Sequence, residues 1–379
     1  MKRVAFSAML LFCLSLSQAV YASADVSTII RGWVDRVRAG ECIEADGCPI
    51  SSTIVLPALY EKYTYQPIWT NPDAVSQLVE AIEASYRDGL EPDDYHLAGI
   101  RRLQDGLSAG GGPDTRAELD LVLTDSLVRL GYHLLIGKVD PESLDGNWNM
   151  VRTLELDPIL ELSGAIDSGE VSNLIDSFRP KASIYHDLKA ALASYRDLQT
   201  AGGWPAVPDG ETLKPGMTDP RVVALRQRLA VTGDMPARDA DSAVFDDAVE
   251  AGVIQFQARH GLEADGIVGK GTLAELNVPV EARVDQLRVN LERARWVLHD
   301  LPQDFVVTDI AGFQVMYFRN GEVAWVTRAQ VGKSYRKTPV FRDRIRYIEF
   351  NPTWTVPPTI LKKDILPKVS KGPGYRARK

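Results

Sequence analysis

One corner of this chain leaves its backbone almost no choice. Between Glu349 and Pro367 stand Pro352, Pro357 and Pro358. Each fixes its own φ and restricts the residue before it. The stretch therefore reads as the exit of a β-strand, a stiffened turn, and a short helix opening near Thr359. Trp354 sits in the same corner, and such a concentration of rigid residues shapes the wall of a site. Asn351 and Trp354 are the candidate wall residues. The approach to this corner alternates with period two. Asp304 to Asp309 reads as a strand, and Phe313 to Phe318 as a second, meeting Asn320-Gly321, a two-residue hairpin signal. Glu322 to Val331 returns, Gly332 to Pro339 is a loop, and Arg342 to Phe350 reads as a further strand.

Upstream, the period is helical. A helix is expected over Thr28 to Arg38 and another from the Asn71-Pro72-Asp73 cap to Arg87. After Gly110 to Pro113 comes the strongest signal, Thr115 to Leu135. Leu119, Leu123, Leu127, Leu130 and Leu134 recur there at three and four, which puts them on one face. His133 beside that stripe reads as a hydrogen-bonded scaffold residue rather than a metal ligand. Tyr185 to Gln199 is a further helix, and Ala201 to Pro205 a linker. From Leu213 to Asn277 three short helices surround Val222, Leu225, Leu229, Phe245, Val249, Val253 and Phe256, with Gly266 and Gly269 in turns. A last helix runs from Val280 to about His299.

With 379 residues, at about 150 per domain, two or three domains are expected. Lys2 and Arg3, the apolar run Val4 to Leu16 and Ala22-Ser23-Ala24 form a signal peptide over 1–24, an uncleaved anchor being the alternative. An exported chain follows, placed in the periplasm or cell envelope, with a membrane contact only if the signal stays on. Without Lys2 and Arg3 the chain holds 41 basic and 51 acidic residues, net −10, which argues against a nucleic-acid partner. Cys42 and Cys48 flank Asp46-Gly47 in the segment 25–53. In an oxidising compartment a small-loop disulfide between them is expected, with free structural thiols or a nucleophile as the other readings.

Two ordered sets of residues carry a resemblance. Val253-Ile-Gln-Phe-Gln-Ala-Arg-His-Gly-Leu262, Asp265-Gly-Ile-Val-Gly269 and Thr272-Leu273 resemble the peptidoglycan-binding module of cell-wall enzymes, over about sixty residues. Gln255 and Phe256 fit either a structural or a contact role. The hairpin, Val331-Gly-Lys333, Thr338-Pro339, Asn351-Pro-x-Trp354 and Val356-Pro357 are similar to the start of the YkuD-type L,D-transpeptidase catalytic domain. Asn290-Leu-Glu-Arg-x-Arg-Trp296, Trp69-Thr70 and Gly89-Leu-x-Pro-x-x-Tyr95-His96 resemble the large members with their scaffold domain. The resemblance implies a multidomain α+β chain: a segment over 25–53, a mainly helical scaffold domain (54–205), a three-helix peptidoglycan-binding domain (211–279) and an incomplete, mainly-β catalytic domain (280–379).

It also implies chemistry. A Cys thiolate attacks the carbonyl of a tetrapeptide stem, forms a thioester, and passes the acyl group to a second stem as a 3→3 cross-link. The partner implied is peptidoglycan, stem peptides and glycan together, and no cofactor is required. In the family a His and a Cys downstream of the Asn-Pro-x-Trp wall do this work. Here no His follows His299 and no Cys follows Cys48. The resemblance therefore carries no catalytic residue onto this chain, which reads as cut short before its nucleophile and inactive as given. A non-enzymatic wall-binding scaffold is the alternative, and a wall hydrolase a weaker one. The five histidines lack metal-ligand spacing, so no metal site is expected. Asp93-Asp94 and Asp246-Asp247 read as solvated helix ends rather than a glycosidase pair.

Overall fold

Why the long helix forms is clear from its ends and its stripe. A computed structural model describes residues 26–146, 148–150, 156–299, 301–333 and 337–369, so the expected signal peptide lies outside the described residues. Helix α1 covers 26–38. A two-stranded ribbon follows, β1 (Glu44–Ala45) and β2 (Cys48–Pro49), then α2 (Val55–Lys62) and α3 (Pro72–Ala84). The Asn71 side chain accepts from the Asp73 N–H and Pro72 takes the first helical position, as its fixed φ suits. The helix tightens to 3-10 geometry over Ser85–Asp88 and stops at Gly89, φ 77°. Then come α4 (Leu97–Ser108) and α5 (Pro113–Leu135). All five leucines of the expected stripe on α5 are buried.

Helix α5 also buries polar groups. Asp120 accepts from Tyr60 Oη (2.8 Å), Ile68 N (2.9 Å) and Trp69 N (3.1 Å), and Trp69 Nε1 donates to Thr124 Oγ1 at 3.0 Å. Asp125 accepts from Ser51 N and Ser52 N and meets His96 Nε2 at 2.8 Å. The aromatic-rich segment before α3 and the loop before α2 are thus held by carboxylates on one central helix. Short helices α6 (Pro141–Leu144), α7 (Pro158–Ser168) and α8 (Val171–Ser177) complete this layer. One core runs from Val26 to Phe178.

Helix α9 (Ser183–Thr200) pairs with α13 (Val280–Val297), sharing Tyr185, Leu192, Val284, Leu291 and Ala294 as a second core. Arg295, almost fully buried, donates to the Asp88 carbonyl (2.9 Å) and Tyr185 Oη (3.2 Å) and pairs with Glu292. Between them in sequence lies a third core built by α10 (Arg221–Val231), α11 (Asp247–Arg259) and α12 (Lys270–Leu276). Its keystone is Gln257. The amide of this buried side chain donates to Asp265 Oδ1, the Ile267 carbonyl and Thr272 Oγ1, and its carbonyl accepts from Gly266 N. The Asp265-Gly266 turn is fastened to α11 by that one side chain.

Beyond α13, strands β3 (Phe305–Asp309), β4 (Gln314–Arg319) and β5 (Glu322–Arg328) form an antiparallel sheet in the order β3-β4-β5. Its register pairs Phe305 with Phe318 and Gln314 with Arg328. Asn320 (φ 53°) and Gly321 (φ 80°) make the turn, as the left-handed geometry of a tight hairpin requires. The rings of Phe305 and Phe318 stack at 4.5 Å.

Two expectations are corrected. Arg342–Phe350 forms no strand; only Val340–Phe341 is extended into one, and 342–349 is irregular and exposed. Ile345 and Tyr347 alternate with arginines as in a half-buried strand, yet Ile345, Tyr347, Ile348 and Phe350 are 73–86% exposed. Nor is the Cys42–Cys48 disulfide formed: both thiols are free. The ribbon register explains it. Ala45 pairs with Cys48, and Ile43, Ala45, Cys48 and Ile50 point inward, while Cys42, Glu44 and Pro49 face solvent. The two thiols stand on opposite faces of a pleated ribbon, out of the geometry a disulfide needs. Cys48 packs so closely on Gly99 that a Cβ there would meet its Sγ at 2.4 Å.

Candidate functional site

Among the described residues, those from Val340 onward form a compact unit of their own. Within it, Asn351 adopts the left-handed conformation (φ 51°), a strained choice that asparagine tolerates better than most residues. Pro357 is extended (ψ 143°) and caps a helix that opens on Pro358; Leu361 N donates back to the Pro357 carbonyl at 2.9 Å. That helix runs Pro358–Ile360, widens to π geometry over Leu361–Ile365 and closes over Leu366–Val369. The sequence expected this helix near Thr359. Trp354 is 65% exposed, so its ring is presented rather than packed. In the other unit the loop after β5 is closed by Gly332 N donating to Thr338 Oγ1 at 2.7 Å.

The histidines are all engaged in scaffold roles or exposed. His96 meets Asp125, His133 Nδ1 meets Tyr95 Oη at 3.0 Å, and His260 Nδ1 meets Glu275 at 3.0 Å. His299 Nε2 lies 3.2 Å from the Leu134 carbonyl, and His186 is exposed on α9. Among the described residues no three of His, Cys, Asp and Glu converge as a metal centre would. Of the carboxylate pairs, Asp246 caps α11 through Val249 N and pairs with Arg226, and Asp94 pairs with Lys138. Both have structural work that explains them. Phe256 lies wholly in the module core, and Gln255 is exposed, donating to the Gly233 carbonyl. The polar residue that matters most to that module, Gln257, was not singled out in the sequence; its place between two turn-forming glycines and a buried helix face was the available signal.

Burial sets the acid behaviour of two of these histidines. It lowers His133 to about 4, helped by Arg129 and Lys138, with Glu292 and Asp94 opposing. It lowers His260 to about 4 as well, with Arg259 and Arg283 adding to it and Glu275 opposing. A histidine kept neutral in the fold but protonated near pH 6.5 when unfolded makes the unfolded chain bind more protons between those values. Stability is therefore full above pH 6.5 and lost as pH falls toward 4. Urea titrations at pH 7 and pH 5 should differ by about 2 kcal/mol, discounted for partial exposure. The difference should shrink in the double variant H133Q/H260Q, and an equal loss there would refute the assignment.

Comparison with known families bears on these elements directly. Residues 55–192 match the family model described as "Scaffold domain", and residues 218–276 the one described as "Putative peptidoglycan binding domain". Residues 303–379, spanning the hairpin sheet and the proline corner, match the "L,D-transpeptidase catalytic domain" model. Three family models thus match one chain, in the order scaffold, peptidoglycan-binding module and L,D-transpeptidase catalytic domain. It is also similar to a "Putative L,D-transpeptidase" of Haemophilus influenzae (strain ATCC 51907 / DSM 11121 / KW20 / Rd), 31% identical over 96 residues. That match covers 25% of this chain and 19% of the relative, so the chain spans about a fifth of that protein's length. The chain is multidomain α+β, helical in the scaffold and module matches and antiparallel in the sheet of the 303–379 match. No helix among the described residues is long and apolar enough to cross a membrane.

Proposed function

We propose that this protein works in peptidoglycan remodelling in the cell envelope, as an L,D-transpeptidase-family chain exported to the periplasm by its signal peptide. One observation carries the reading: scaffold, peptidoglycan-binding module and catalytic-domain matches occur together in one chain. Wall polymer is its partner, held by the domain we place at 211–279. The chemistry of that family, acyl transfer through a Cys thioester to give 3→3 cross-links, needs a thiolate beside an imidazole. Asn351 and Trp354 supply a wall of such a site in our reading.

A second reading, a wall-binding scaffold without chemistry, draws on the cysteines. Cys48 is buried, and burial pushes its thiol up, opposite to what a nucleophile requires. Cys42 is exposed on the outer face of the ribbon. The experiment is incubation of the full chain with purified sacculi, followed by sedimentation and muropeptide analysis. The chain should pellet with the wall, and deletion of Leu213 to Asn277 should release it. Binding that survives the deletion would remove the module from the proposal. New 3→3 cross-links would support acyl transfer, and an unchanged muropeptide profile the wall-binding scaffold.

A further inference from the structure

The scaffold holds a cleft that the wall chemistry above does not use. It encloses about 420 Å³ and is lined by Ala84, Arg87, Asp176, Arg179, Pro180, Lys181, His186 and Lys189. Four side chains of permanent positive charge and a histidine face a single lining carboxylate. Buried Asp88 behind them pairs with Lys189 Nζ (2.7 Å) and Arg179 Nε (2.9 Å), and Arg179 also pairs with Asp176. Counting both acids, the cleft retains a charge of about +2, carried by Arg87 and Lys181, for which no ion pair occurs among the described residues. In a chain whose net charge is −8, gathering cations here is not a reflection of overall composition.

A second feature points the same way. Pro180, Lys181, His186 and Lys189 belong to the entry and first turns of α9, an 18-residue helix. No side chain caps its N-terminus and no acidic residue stands in its first turn. Helix starts ordinarily recruit Ser, Thr, Asp or Asn and attract acids, because free N–H groups and the helix dipole make that end positive. Here the chain sets Lys181 and His186 at that end, leaving the positive field uncompensated by its own residues. The Asp88 pairs meanwhile hold Arg179 and Lys189 in place, so their remaining donors are ordered in advance of any ligand.

We propose that this cleft binds a small dianionic ligand, one carrying phosphate groups or paired carboxylates. Its size suits a ligand of several heavy atoms, larger than a lone ion. Two anionic groups match the uncompensated charge, and arginine and lysine together recognise the oxygens of either group.

The test is calorimetric titration of the full chain at low salt with inorganic pyrophosphate, with the dipeptide Glu-Glu, and with glucose as an uncharged control. At least one dianion should bind, with affinity that falls as salt rises. The double variant R87A/K181A should weaken it by about tenfold or more, since charge-assisted contacts are the ones removed. Both side chains are exposed, so the melting temperature should hold; the single reversal K181E provides an independent second variant. Binding of pyrophosphate alone assigns phosphate chemistry, and of the dipeptide alone carboxylate chemistry. Absence of binding by both dianions at millimolar concentration, or affinity unchanged in the variants, overturns the proposal.

Discussion

Replacing Asp120 by alanine should destabilise the scaffold by about 3–5 kcal/mol, among the largest effects of any single substitution in this chain. Asp120 is 1% exposed and accepts three hydrogen bonds, from the Tyr60 hydroxyl and the Ile68 and Trp69 backbone N–H groups. Removing it strands those donors where water does not reach, and each stranded donor costs about 1–3 kcal/mol. The damage should spread, because Trp69 also donates from its indole to Thr124 and Arg116 holds the Trp69 carbonyl. Urea unfolding followed by far-UV dichroism reads the change directly. T124A, which removes one partner and leaves the carboxylate, should cost much less. A loss below about 1 kcal/mol for D120A would mean the segment before α3 finds other acceptors.

The second large effect belongs to Asp88. Its carboxylate is fully buried, pairs with Arg179 and Lys189, and accepts from Tyr185 Oη at 3.0 Å. D88A leaves two cations and a phenol facing a space built for an anion, and breaking such a buried arrangement from one side costs about 3–5 kcal/mol. The consequence should be local before it is global. Tyr185 lies on α9, and Arg295 of α13 reaches both Tyr185 and the Asp88 carbonyl. Hydrogen exchange should therefore speed up in α9 and α13 while the middle of α5 stays protected. Uniform acceleration would show that the two helices do not open as a unit.

These two carboxylates mark where sequence reading stops. The leucine stripe of α5 was legible because spacing at three and four has one physical meaning. Asp120 and Asp125 lie between those leucines, and that they are buried depends on a loop and an aromatic segment arriving from more than fifty residues away. The Asn320-Gly321 turn and the Asn71 cap were legible, since local geometry alone demands those residue types. Arg342 to Phe350 misled, because alternation predicts a strand only where a partner strand is available. The cysteine pair misled for a related reason. Proximity in sequence across Asp46-Gly47 suggested a bridge, and the pleat turned the two side chains to opposite faces. The helix opening near Thr359 was readable from the φ restriction of Pro357 and Pro358, whereas the cationic cleft was not: its residues come from three separate segments, and nothing in their spacing announces the encounter.

The seating of the module on the α9–α13 pair has a mechanical consequence. The Arg228 guanidinium stacks 4.0 Å over Trp204, Arg259 Nη1 donates to Tyr195 Oη at 3.1 Å, and Trp204 Nε1 donates to the Val278 carbonyl. Asn277 exchanges two hydrogen bonds with the backbone of Val207, so the connecting segments on both sides of the module are stapled to each other. A pull on the module would load these contacts in parallel. The module is mounted as a bracket rather than hung on a leash, and a pull on it passes into the α9–α13 pair instead of being absorbed as slack.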